Sequence, residues 1–231
     1  MAQVYRSCLM QFFTWCCQPE QDLRTDNPVR EITTKAPRKR KRKLTAAEFH
    51  AIRDQLLVSD KGNKRLSGEM MQCFIDLCYL AAQRSTEIRL LRWSQIVDEH
   101  ICFEPTKTED SSGAAVDVSL TSAIRDVLER ARKLYRVKSL HVIHTMHGDR
   151  YTAAGLRSAW DRACLAAGIE NATIKDLRPM ALSDAKQLRH TIEQLKDAAA
   201  HSEVGTTEGY IKGREVVRSE VILTLPKQAP Y

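Results

Sequence analysis

The sequence predicts an α+β fold, mostly α-helical, with a small antiparallel β-sheet. Three observations lead there. Beyond Leu44, apolar residues recur mainly at the three- and four-residue spacing of amphipathic helices. One short region alternates instead: Ile101 and Phe103, then Val116, Val118 and Leu120, read as two strands joined by a polar turn at Glu109 to Gly113. Hydrophobic residues make up 43% of the 231, enough to bury a core.

The elements follow in order. Val4, Cys8, Phe12 and Trp15 fall on one face of a short N-terminal helix whose aromatic surface needs something to pack on. From Pro19 to Pro37 the composition turns polar and includes Pro28, as in a linker. Arg38, Lys39, Arg40, Lys41, Arg42 and Lys43 then form an unbroken cationic run, which repels itself and stays extended until a polyanion neutralises it. The chain therefore divides into a helical segment (1–25), a basic linker (26–43) and a main domain (44–231).

Within that domain Thr45 precedes a helix carrying Phe49, Ile52 and Leu56. Met70, Phe74, Leu77, Cys78 and Ala81 form a second apolar stripe. Pro105 marks the first strand as an edge strand or one that ends early. Thr121 opens a helix with Ile124, Val127, Leu128 and Leu134, and a short strand is expected around Leu140 to Ile143, leading to Gly148-Asp149. A helix through Leu156, Trp160 and Ala163 closes at Gly168. Thr191 and Gln194 make a capping box for a helix through Leu195 and Ala199, and the apolar run Val221 to Leu225 ends at Pro226.

Composition narrows the function classes. No apolar run approaches the ~20 residues of a membrane-spanning helix, and the cluster from Cys8 to Cys17 is interrupted by Gln11 and Thr14 and lacks a small-residue cleavage site. The seven cysteines are odd in number and show no CxxC, so neither a disulfide framework nor a zinc site is indicated and a cytoplasmic location is expected. The net charge of +7 favours a polyanionic partner, although a basic tail on an ordinary protein would give the same value. His141, His144 and His147 are spaced like metal ligands, yet residues three apart on a strand face opposite sides, so strand and loop is the preferred reading.

Four segments carry the chemistry. They are Arg84-Ser85-Thr86-Glu87-Ile88-Arg89-Leu90-Leu91-Arg92-Trp93, the hairpin triplet Thr106-Lys107-Thr108, Ile174-Lys175-Asp176-Leu177-Arg178, and the stretch from His201-Ser202 through Thr206-Thr207 to Tyr210. In this order and local context they resemble the motifs of the tyrosine recombinases, the phage-integrase family, over roughly Leu44 to Pro226. The resemblance implies a catalytic domain that cuts and rejoins DNA through a 3′-phosphotyrosyl intermediate on Tyr210. Arg84 and Arg178 would clamp the equatorial phosphate oxygens, because guanidinium forks make paired hydrogen bonds and do not deprotonate. His201 would hydrogen-bond the phosphate or the leaving oxygen, and Lys107 would protonate the departing 5′ hydroxyl. No metal or other cofactor is implied, and the partners would be double-stranded DNA, gripped also by residues 38–43, and further copies of the chain, as in the family's synaptic tetramer.

Two departures matter. Lys175 stands where the family has His, and a lysine is a poorer base at neutral pH. The helix before Asn27-Pro28 looks like the last piece of the family's DNA-clamping domain, so the chain is read as N-terminally truncated. The alternative is a catalytically impaired remnant that only binds DNA; a type IB topoisomerase-like enzyme would share the chemistry without a specific site.

Overall fold

The computed structural model describes residues 2–35, 42–59, 62–103, 115–188, 217–219 and 221–226. The chain forms two compact units, dividing between Lys41 and Arg42.

In the first unit, helix α1 (Ala2–Cys16) is followed by a segment that turns back along it. Asn27 Nδ2 donates to Met10 O (3.1 Å) and Thr14 Oγ1 (3.0 Å), and Arg6 donates to the carbonyls of Ile32 and Arg30. Cys16 and Val29 are buried, while Val4, Tyr5, Leu9, Phe12 and Trp15 are exposed.

The second unit is built around α3 (Gly68–Leu80), every residue of which is buried except Glu69. A mostly apolar helix buried on all sides belongs at a domain centre. Around it stand α2 (Ala46–Gln55), α5 (Ser122–Lys133), α6 (Ala153–Ala166) and α7 (Leu177–Gln187). Threonine hydroxyls start three of them: Thr45 Oγ1 accepts from Glu48 N, Thr121 from Ile124 N and Thr152 from Gly155 N. Glu48 returns a bond to Thr45 N, completing a capping box. Gly168, at φ +67°, ends α6 with Ile169 N bonded back to Cys164 O.

The sheet begins with β1 (Ile96–Val97), β2 (His100–Phe103) and β3 (Val116–Ser119), antiparallel, with Ile101 opposite Val118 and Phe103 opposite Val116. These four side chains are buried, as the alternation predicts. A fourth strand, β4 (Val217–Ser219), joins β3 in parallel, so the sheet is mixed at that edge. The strand expected around Leu140 to Ile143 is absent: the segment makes only isolated bridges, Arg92 with His141 and His144 with Arg150. Residues 91–93 run beside residues 140–142 through two backbone hydrogen bonds, but the pairing stops at one bridge, too short for a strand. The helix expected beyond Thr191, like Pro105 and the turn at residues 109–113, lies outside the described residues.

A carboxylate lies at the centre of the core. Asp76 is fully buried on α3 and accepts from Arg53 (2.9 and 3.0 Å) and Arg130 (2.7 Å), tying α2 and α5 to the central helix. Asp76→Ala is expected to lower unfolding stability by about 2–3 kcal/mol, since both guanidiniums lose their shared acceptor but can regain some water. Urea denaturation checks this; an unchanged midpoint would show that the arginines find equivalent partners.

Candidate functional site

The site is assembled at the C-terminal end of α3. That helix stops at Ala81, and Ala82 follows in the left-handed region at φ +50°, buried and without glycine's freedom. Such a conformation costs a non-glycine residue roughly 1–2 kcal/mol, and strain of this kind persists where surrounding packing enforces it. The turn delivers Arg84 in an extended conformation to the N-cap position of α4 (Ser85–Leu90). Glu87, in the first turn of α4, is buried.

Arg178 arrives from a distant part of the sequence. The one-turn 3₁₀ helix at Ile174–Asp176 is held by Asp176, whose carboxylate accepts from Thr173 N (2.7 Å) and Thr173 Oγ1 (3.0 Å). Just upstream, Trp160 Nε1 donates to Ala172 O (3.2 Å) and anchors this turn to α6. α7 then begins, with Leu177 in the core and Arg178 beside it. Pro179 is tolerated in this first turn because the N–H groups there lack helical acceptors in any case. α7 is fixed against α3 by Tyr79, whose hydroxyl donates to Asp184 at 2.7 Å. Burial first, and then that carboxylate, push the Tyr79 phenol far above its usual range, so it remains a donor.

Arg84 and Arg178 are thereby brought close enough to repel each other. Burial, followed by the Arg84 charge, lowers Arg178 to about 10, with Glu87 pulling the other way. Arg84 Nη1 is buried with no hydrogen-bond partner. Two partly buried guanidiniums within range of each other's charge are unfavourable until an anion offsets the repulsion, and the planar forks suit paired hydrogen bonds to phosphate oxygens.

The other sequence-derived candidates are placed as follows. Lys175 is exposed on the 3₁₀ turn just before α7. Lys107, His201 and Tyr210 lie outside the described residues, as do Arg38, Lys39, Arg40 and Lys41. Lys43 is exposed, whereas Arg42 is paired with Glu48 at 2.8 Å and is not an open cation. Among the described residues no cluster of His, Cys, Asp or Glu could hold a metal ion, and His144 bonds the neighbouring backbone at Thr145 O (2.8 Å). Sequence reasoning missed Tyr79 and Asp184; the available signal was a phenol within the apolar run Leu77-Cys78-Tyr79-Leu80.

The fold has structural relatives. A lambda integrase (75-356) dimer bound to a COC′ core site matches with a TM-score of 0.71 at 18% identity, covering 91% of this chain and 76% of that one. The XerH site-specific recombinase bound to difH substrate, in a pre-cleavage complex, matches at 0.59 and 20% identity, covering 86% and 58%. The lambda integrase catalytic core matches at 0.57 and 17% identity, covering 69% and 94%. This chain thus spans nearly all of that catalytic core and just over half of the XerH chain. No curated protein matches the sequence. The model of the phage integrase family matches residues 63–215, about two thirds of the chain, which therefore belongs to the phage integrase family of tyrosine recombinases.

Proposed function

We propose that this chain acts in site-specific recombination, cutting and rejoining double-stranded DNA through Tyr210. The observation that carries this reading is the Arg84–Arg178 pair, two guanidiniums drawn together against their own repulsion within a fold shared with DNA-bound integrases. Tyr210 gives up its phenolic proton to solvent, its oxygen attacks phosphorus, the bond to the 5′ oxygen breaks, and a 3′-phosphotyrosyl link forms. The departing oxygen takes its proton from Lys107, and His201 hydrogen-bonds the phosphate. Arg84 and Arg178 hold the equatorial oxygens, where negative charge accumulates. Because the link retains the phosphodiester's energy, a 5′ hydroxyl can reverse the step and reseal the strand. Arg38, Lys39, Arg40, Lys41 and Lys43 would add contacts to the DNA backbone that position the protein without reading sequence. Self-association follows from the same reading: lambda integrase has been seen as a dimer on a core site and as a tetramer on a Holliday junction.

A second reading, a DNA-binding protein impaired in cleavage, is favoured by Lys175, which is exposed where the family places His. Incubation with a nicked suicide duplex separates the two. A covalent protein–DNA adduct that survives denaturation supports the enzyme; salt-sensitive binding without any adduct supports the impaired protein. Within the enzyme reading, Lys175→His is expected to preserve or raise the single-turnover cleavage rate and Lys175→Ala to lower it, since acid–base assistance is worth ~10²–10⁴-fold where it operates. Equal rates for Lys, His and Ala would remove Lys175 from the site.

A further inference from the structure

A second group of cations lies at the other end of α4. Arg89 is in the last turn of that helix and Arg92 just beyond it. Backbone hydrogen bonds lay this stretch against residues 140–142: Val142 N donates to Leu91 O (2.9 Å), Trp93 N donates to Leu140 O (3.0 Å), and Arg92 bridges His141. The next bridge, His144 with Arg150, brings in a third segment, and Arg89 Nη1 donates to Tyr151 O (3.3 Å). Three short segments thus place Arg89, Arg92, Arg150 and His141 side by side. Arg92 and Arg150 are exposed, and Arg89 and His141 half-buried.

Among the described residues no ion pair neutralises this group. Ion pairs among the described residues form elsewhere, as at Arg42–Glu48, Arg53–Asp76 and Arg130–Asp76. Burial, then the charges of Arg92, Arg150 and Arg89, hold the His141 imidazole below its usual range. Adjacent cations without counter-charges repel, and a polyanion relieves that repulsion while releasing its own condensed counterions.

We infer that Arg89, Arg92, Arg150 and His141 form an accessory phosphate-binding patch that takes the DNA backbone flanking the phosphate held by Arg84 and Arg178. This rests on the reading of DNA as substrate. The spacing suits it: α4, six residues long, rises about 9 Å. Duplex DNA carries one charge per ~1.7 Å of its axis, so further phosphates lie within about 9 Å of one held at the N-terminal end of α4. The patch would add affinity and orientation without reading bases.

The test is equilibrium binding of the whole chain to an intact duplex over a range of salt concentrations. Three proteins are compared: wild type, Arg92→Gln/Arg150→Gln, and Arg92→Lys/Arg150→Lys. Both positions are exposed, and matching thermal melting curves confirm that the variants fold. With both cations on phosphates, the Gln variant should lose about 2 units from the slope of log K against log salt. The Lys variant should keep the wild-type slope. Equal slopes for all three, with wild type binding in a salt-dependent way, would overturn the patch while leaving the recombinase reading standing. Wild type that neither binds DNA nor forms the covalent adduct would overturn both.

Discussion

Tyr210→Phe is expected to abolish the covalent protein–DNA adduct while leaving noncovalent DNA binding nearly unchanged. The substitution removes one oxygen, and that oxygen is the nucleophile, so no partial activity should remain. Phenol is a poor nucleophile at neutral pH, with a pKa of about 10, and depends on surrounding cations to favour the phenolate. Binding rests on those cations instead, none of which the substitution touches. Denaturing gel electrophoresis after incubation with a nicked substrate gives the first readout, and an equilibrium binding titration the second. Adduct at wild-type yield in the Phe variant would remove Tyr210 from the mechanism.

Arg178→Ala should slow single-turnover cleavage by about 10²–10³-fold, the usual loss when one preorganised donor to a developing oxyanion is removed. Arg178→Lys should recover only part of it, because an ammonium restores the charge but not the paired geometry. A stability measurement distinguishes this from simple structural damage. Arg178 is lowered to about 10 in the folded chain, first by burial and then by Arg84. A cation whose folded value lies below its unfolded one penalises the folded state when protonated, and that penalty is present at every pH below about 10, neutral pH included. Replacing it with the neutral, similarly long Met should therefore hold or raise the melting temperature while cleavage falls. A variant losing stability and cleavage together would mark Arg178 as a packing residue.

Much of the fold is legible where local chemistry decides it. Thr45 and Thr121 cap the helices they were expected to start, and the Ile101, Phe103, Val116 and Val118 alternation forms the paired strands. The misses fall where long-range pairing or unusual backbone decides. β1 was hidden because its hairpin turns on Asp98 and Glu99, both at positive φ, in place of the Asn-Gly pattern that signals such turns. α7 was not anticipated because Pro179 sits in its first turn, and three-residue β4 is too short for any periodicity. His141 and His144 flank the β-branched pair Val142-Ile143, a strand-like composition, but find only single bridges. For the site, residue types and order pointed to Arg84 and Arg178, but their mutual repulsion emerges only when α3 and α7 pack through Tyr79 and Asp184.

In the proposed chemistry one atom, the Tyr210 phenol oxygen, carries the DNA. Digesting the trapped adduct with protease and nuclease, then sequencing the nucleotide-bearing peptide by mass spectrometry, locates the link directly. A single modified residue is expected, Tyr210, joined to a 3′ phosphate. A link to any other side chain, to a 5′ phosphate, or no linked peptide from a cleaved substrate would contradict this chemistry.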